Sequence, residues 1–215
     1  LKQFEQSLQS FKECLRIRRA HLGDDHKLIG NTLTCMGNVY RDCYDIDRAL
    51  NFAKIVLKMR KKIFGQKEKT ITPNITYQVI QSYEEVLNLN IQKLRDCNFV
   101  KSSNNASLHN EIATSLFNLG NMHEKLDHFE EAVRYYNKAL KISKLKKEEN
   151  TIATIFNSLG IAHAKRHSYQ KAMICFKNSL ALRRSLHGNQ HADVAESLHN
   201  IGNTAAKLRD YDTAI

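Results

Sequence analysis

The chain repeats itself. Residues 4–26, FEQSLQSFKECLRIRRAHLGDDH, align without a gap on residues 169–191, YQKAMICFKNSLALRRSLHGNQH, at an offset of 165, about four times 41. Phe11 falls on Phe176, Leu15 on Leu180, Arg18-Arg19 on Arg183-Arg184, Gly23 on Gly188 and His26 on His191. A fixed period of this size marks an array whose units bury their apolar faces only against their neighbours. A second series keeps the same beat: Gly37, Gly120, Gly160 and Gly202 follow an apolar residue and are 83, 40 and 42 residues apart. The gap of 83 is two periods, which predicts a degenerate unit between the first two glycines. Tyr77–Tyr83 falls in phase there, with Ile80 where glycine is expected.

Each unit reads as two amphipathic helices, A then B. Helix A carries Ile112, Leu116, Leu119, His123 and Leu126; helix B carries Phe129, Ala132, Tyr136, Ala139 and Leu140. This three-and-four spacing is helical. One Pro, no Trp and 8 Gly in 215 residues leave too few breakers for a β-sandwich. A glycine inside helix A costs about 1 kcal/mol against alanine. Its recurrence in phase predicts a packing role, the missing Cβ letting helix B approach. Ala49, Ala132, Ala172 and Ala214 recur twelve positions later as the matching small surface. Gly23, Gly65 and Gly188 read as helix C-terminal caps, His26 and His191 as turn or cap residues, and Pro73 as the start of a helix A.

These residues carry a resemblance. The pattern L-x-x-L-G-x-x-Y/H followed by A-x-x-x-Y/F-x-x-A-L resembles the tetratricopeptide repeat. Residues 182–202, LRRSLHGNQHADVAESLHNIG, resemble its approximately 42-residue kinesin light chain-like subtype. The resemblance implies an all-α, right-handed α-solenoid over residues 1–215. Its parts would be a helix B of a preceding repeat at 1–23, repeats at 26–64, 109–147 and 149–187, a degenerate repeat at 69–103 and a truncated repeat at 191–215. The degenerate repeat departs from the pattern at Ile80, Gln92 and Phe99, and the link before 149 lacks Gly-x-x-His. Neither end carries a polar cap, so the chain is expected to be a fragment of a longer protein.

The resemblance also implies a concave surface lined by helix A, faced by residues one after and two before the glycine. These are Asn38, Asn118, Asn121, Ser158, Ile161, Asn200 and Asn203. An asparagine amide both donates and accepts, which suits a peptide backbone. Five positions after the glycine stand Asp42, Glu85, Lys125, Lys165 and Lys207. The three lysines predict that the C-terminal half, about 109–215, holds an extended acidic segment. With Lys plus Arg at 33 and Asp plus Glu at 22, the net charge of +11 also favours acidic partners.

Chemistry is expected to be absent. There is no phosphate-binding glycine loop, no nucleophile elbow and no C-x-x-C. The five cysteines are read as inert thiols, with Cys35 and Cys43 at packing positions. His163, four residues before His167, stands where Tyr40 and Tyr83 stand and reads as a buried aromatic substitute rather than a metal ligand. No apolar run reaches the roughly 20 residues that span a bilayer, and no secretory leader is visible. The basic stretches 58–69 and 141–147 read as solvated helix ends, although RNA phosphates or anionic lipids are the other partners such stretches meet.

The function expected is therefore a non-enzymatic scaffold that takes no cofactor and binds protein or peptide segments in its groove, without membrane insertion. By resemblance it would act as a cytoplasmic, cytoskeleton-associated cargo adaptor of a microtubule motor, meeting a kinesin heavy chain through regions outside this chain. The alternatives are the recognition arm of a larger enzyme or signalling protein, and a basic RNA-binding repeat.

Overall fold

The computed structural model describes residues 2–66, 73–97 and 105–208. Nine helices and no strand occur among them: α1 (Lys2–Leu22), α2 (Lys27–Asp42), α3 (Ile46–Gln66), α4 (Pro73–Cys97), α5 (Asn105–Lys125), α6 (Phe129–Lys146), α7 (Glu149–Lys165), α8 (Tyr169–His187) and α9 (Ala192–Leu208). The architecture is an all-α helical-repeat solenoid. The chain divides into two compact units, Leu1–Leu108 and His109–Ile215.

Helices α1 to α4 pack one against the next, as do α6 to α9, and the described corners are short. The A-to-B corners share one geometry. Tyr44, Asp127 and His167, each seven residues after the glycine, take left-handed φ values of 61°, 58° and 57°. The next residue, Asp45, His128 or Ser168, donates its N–H to the carbonyl of Tyr40, His123 or His163 at 2.9 Å. That bond closes the end of helix A by satisfying one of its orphan carbonyls. Two B-to-A corners are built as the sequence predicts. Gly23 and Gly188 adopt φ of 75° and 77°, open to glycine without strain. His26 Nδ1 accepts the Leu28 N–H and His191 Nδ1 the Asp193 N–H, both at 3.2 Å, so these histidines cap α2 and α9. Pro73 opens α4 as expected, and Gly65 is the next-to-last described residue of α3.

The packing glycines do more than admit an alanine. A Cβ on Gly120 would stand 2.4 Å from the Tyr136 ring and one on Gly160 2.5 Å from the Phe176 ring. Ala132 and Ala172, one helical turn before those aromatics, are fully buried beside them. At Gly37 the neighbour is only the Cβ of Phe52, at 3.3 Å, with the Ala49 carbonyl at 3.7 Å. Gly202 is half-buried in α9, and Ala214 lies outside the described residues.

An arginine clamp that sequence reasoning missed ties helix B to the next helix A at three seams. Arg18 donates to the Leu28 carbonyl (3.0 Å) and Thr32 Oγ1 (2.6 Å). Arg60 donates to the Gln78 carbonyl (3.0 Å) and Ser82 Oγ (2.7 Å). Arg183, 6% exposed, donates to the Asp193 carbonyl (2.7 Å), Glu196 Oε2 (3.0 Å) and Ser197 Oγ (2.9 Å). At the α6–α7 seam Ser143 and Ile155, both buried, take the arginine and hydroxyl positions.

This clamp corrects the degenerate repeat. Ser82 matches Thr32 and Gln78 matches Leu28, so Leu87, not Ile80, occupies the glycine position in α4. Core packing agrees: Val86 lies against Ala49 and Leu50 as Ile201 lies against Ala172 and Met173. Ile80 stands seven residues too early. Seven residues are nearly two helical turns, so the apolar stripe reads alike in either register. Gln92 and Glu85, expected to belong to a helix B and to the position five after glycine, are corrected accordingly. Both sit in the single helix α4, with Gln92 five after Leu87 and Glu85 two before it. The predicted helix-turn-helix at 69–103 is thus one continuous helix of type A over its described part. Phe99 lies outside the described residues. Since α5 carries Gly120, two A-type helices follow each other in the chain with no helix B described between them.

Candidate functional site

The corrected register extends the asparagine series. One residue after the glycine position stand Asn38, Asn88, Asn121, Ile161 and Asn203. Asn88 is the member hidden from sequence, because Ile80 also fits the phase of the glycine position.

In the first unit Asn38 and Asn88 line one cleft between α2 and α4, with a volume of about 370 Å³. Its charged walls are Arg41, Glu84 and Glu85, and Leu89 is its apolar lining residue. Burial pushes the Glu85 carboxyl above its ordinary value, opposed by the charges of Arg41 and Arg60. Asp42, expected on the groove, is exposed beside Arg41 at 3.6 Å.

In the second unit a cleft of about 480 Å³ runs along α7 and α9. It gathers five predicted residues, Asn200, Asn203, Ile161, Lys165 and Lys207, against Ala164, Tyr169 and Phe176. Phe176 reaches this wall because Gly160 has no side chain to block its ring. Asn200 is oriented by the protein: its Nδ2 donates to Asn157 Oδ1 at 3.0 Å. Asn157 in turn donates to Glu196 Oε1 at 3.2 Å, and Glu196 is held by Arg183. Asn203 Nδ2 lies 2.9 Å from His199 Nε2.

Asn118, Asn121 and Lys125 sit on α5 and are not among the residues of that cleft. Asn118 and Asn121 are half-buried and Lys125 is exposed. The Tyr136 hydroxyl lies 2.7 Å from both Asn121 Oδ1 and Glu124 Oε2, within donating distance of each. Burial, then the hydrogen bond and charge of Glu124, push the phenol far above its ordinary value, so it stays a donor. The Asn121 carbonyl is thereby engaged and its amide nitrogen left as the donor.

Other predicted features fall differently. Cys35 is exposed, not packed; Cys43 and Cys175 are partly buried, and burial raises the Cys175 thiol. His163 is partly buried, and its imidazole is held below its ordinary value by burial, then by Lys171 and Arg166. His167 sits at the corner with Nδ1 2.9 Å from the Tyr169 hydroxyl. No group of three metal-ligating side chains gathers among the described residues. No described helix is long and apolar enough to cross a membrane.

Among curated proteins the chain is 27% identical over 104 residues to response regulator aspartate phosphatase E of Bacillus subtilis (strain 168), covering 48% of this chain and 26% of that one. It is 20% identical over 169 residues to response regulator aspartate phosphatase A of the same organism, covering 68% and 44%. The chain thus spans less than half the length of either relative. The crystal structure of aspartyl phosphate phosphatase F from Bacillus subtilis superposes with a TM-score of 0.54 at 15% identity, covering 93% of this chain and 51% of that one. This likeness shows the fold. Family models described as tetratricopeptide repeat match residues 1–26 and 30–68, 113–144 and 151–215. The matched stretches take in Gly37, Gly120, Gly160 and Gly202, and the chain belongs to the tetratricopeptide repeat family.

Proposed function

We propose that the chain is a protein-interaction scaffold whose second unit holds an extended acidic segment of a partner. The observation that supports this most directly is the cleft of α7 and α9, where Lys165 and Lys207 flank Asn200 and Asn203 over an apolar wall. Paired amides take the main chain of an extended ligand, the lysines its carboxylates, and Ile161 and Phe176 an apolar side chain between them. Asn118, Asn121 and Lys125 continue this recognition along α5. Binding, not catalysis, is the work of these residues. The test is fluorescence anisotropy with labelled acidic peptides. Lys165→Glu combined with Lys207→Glu should weaken binding at least about tenfold at low salt. Unchanged affinity would refute the reading.

The identity of the partner separates two finer readings. The curated relatives, of which this chain matches under half, favour an array that serves as recognition arm of a larger regulatory protein. The kinesin light chain-like motif at 182–202 supports a cargo adaptor instead. Capture of a kinesin heavy chain by the full-length protein would decide for the adaptor. Binding of a response regulator would decide for the recognition arm.

A further inference from the structure

The B helices of the second unit carry a charge pattern that the cleft does not use. On α6, Arg134, Lys138, Lys141 and Leu145 follow at spacings of four, three and four and form one ridge, every member exposed. Leu145, 75% exposed, is an aliphatic side chain on a ridge of cations. Residues 133–147 hold six basic side chains and no acidic one. Helix α8 contains no acidic residue at all; it exposes Lys171, Lys177 and Arg184 around Ile174, itself 61% exposed. Repeat alignment places Ile174 at the position of Arg134, so the two helices present equivalent faces of one unit. No ion pair engages Arg134, Lys138, Lys141, Lys171, Lys177 or Arg184 among the described residues.

Helix-end chemistry does not account for this. The dipole of a helix favours cations only in its last turn, whereas Arg134, Lys138 and Lys141 precede that turn on α6. Like charges three and four residues apart repel, so the ridge weakens the helix that carries it.

We propose that this outer face of the second unit adsorbs to membranes carrying anionic lipids. The lysines meet headgroup phosphates as mobile point charges, and Leu145 and Ile174 enter the headgroup layer beside them. Lysine outnumbers arginine on the face, which suits a diffuse anionic surface better than fork-like recognition of single phosphates. Exposed aliphatic tips gain nothing from a nucleic-acid backbone but do gain from a lipid interface. The surface lies on helices α6 and α8, while the proposed peptide residues Lys165, Asn200, Asn203 and Lys207 lie on α7 and α9. The two activities are therefore separable.

The test is co-sedimentation of the full chain with phosphatidylserine-containing vesicles, phosphatidylcholine vesicles and, as competitor, single-stranded RNA. Binding should require phosphatidylserine and weaken steeply with salt. Lys138→Glu with Lys141→Glu should reduce it at least about tenfold. Leu145→Ser should lower it several-fold while leaving its salt dependence unchanged, and Lys165→Glu with Lys207→Glu should leave it largely in place. Circular dichroism of each variant reads whether its helices persist. No binding to anionic vesicles at low salt would overturn the proposal. So would equal binding by the folded Lys138/Lys141 variant, or RNA binding that displaces vesicles and ignores Leu145.

Discussion

The two units put the same repeat positions to different ends. In the second unit, Gly120 and Gly160 each lie under a buried aromatic ring, Tyr136 or Phe176. The ring passes over helix A and reaches the groove side, where Phe176 lines an apolar cleft wall and the Tyr136 hydroxyl meets Asn121. In the first unit the residue at the place of Tyr136 and Phe176 is Ala53, and Gly37 meets the stem of Phe52 and the Ala49 carbonyl but no ring. Helix α4 has Leu87 where a glycine would stand. The cleft there is polar, with Glu84, Glu85 and Arg41 along it. The glycine is thus less a spacer between helices than a doorway for an aromatic from helix B, and what passes through it sets the character of the groove.

Gly160→Ala should break this comparison most severely. Its new Cβ would fall 2.5 Å from a ring that is 2% exposed, so the ring or the helix must shift. Overpacking outweighs the gain in helix propensity, and urea unfolding should show a loss of about 2–3 kcal/mol. Gly37→Ala, with 3.3 Å available, should change stability by less than about 1 kcal/mol. Equal losses at both sites would end the distinction.

The clamps come next. Arg183→Ala removes three donated hydrogen bonds and the cation that holds Glu196, and should cost about 2 kcal/mol by the same measurement. Arg18→Ala, at a half-exposed residue with two partners, should cost about half that.

Charge should then decide which unit takes an acidic peptide. In the wild type, calorimetry should find a single site, lost in the Lys165→Glu, Lys207→Glu variant. Glu84→Lys with Glu85→Lys should add a second, weaker one in the first unit. A stoichiometry unmoved by these exchanges would mean that cleft charge is irrelevant to ligand choice.

The smallest effect is a pH dependence. Because the His163 imidazole is held below its ordinary value of 6.5, the unfolded chain takes up its proton first as pH falls. Its contribution to stability is complete above pH 6.5 and declines below it, down to the depressed value of the folded state. His163→Phe should flatten that part of the stability profile and leave the profile above neutrality unchanged.

Much of this was legible in the chain. Gly120, Gly160, Ala132 and Ala172 announced where helices meet, and Ile161, Lys165, Asn200, Asn203 and Lys207, all expected on the groove, share the cleft of the second unit. The register of α4 was not legible. Apolar periodicity cannot distinguish a helix from itself displaced by seven residues. The displacement is fixed instead by Arg60 finding Ser82, a contact between residues 22 apart. Asn88 was hidden by that same ambiguity. Nor could spacing show that Asn200 and Asn121 are already held by Asn157 and Tyr136, because those bonds link different helices.

The A-to-B corners have a practical consequence. Tyr44, Asp127 and His167 share little chemistry, yet the backbone takes the same left-handed step at each. The helices on either side impose that step, and the residue making it merely complies. Tyr44 is 87% exposed. Such a corner is the natural attachment point for a fluorophore or an affinity handle, placed where the chain's own identity matters least to its shape.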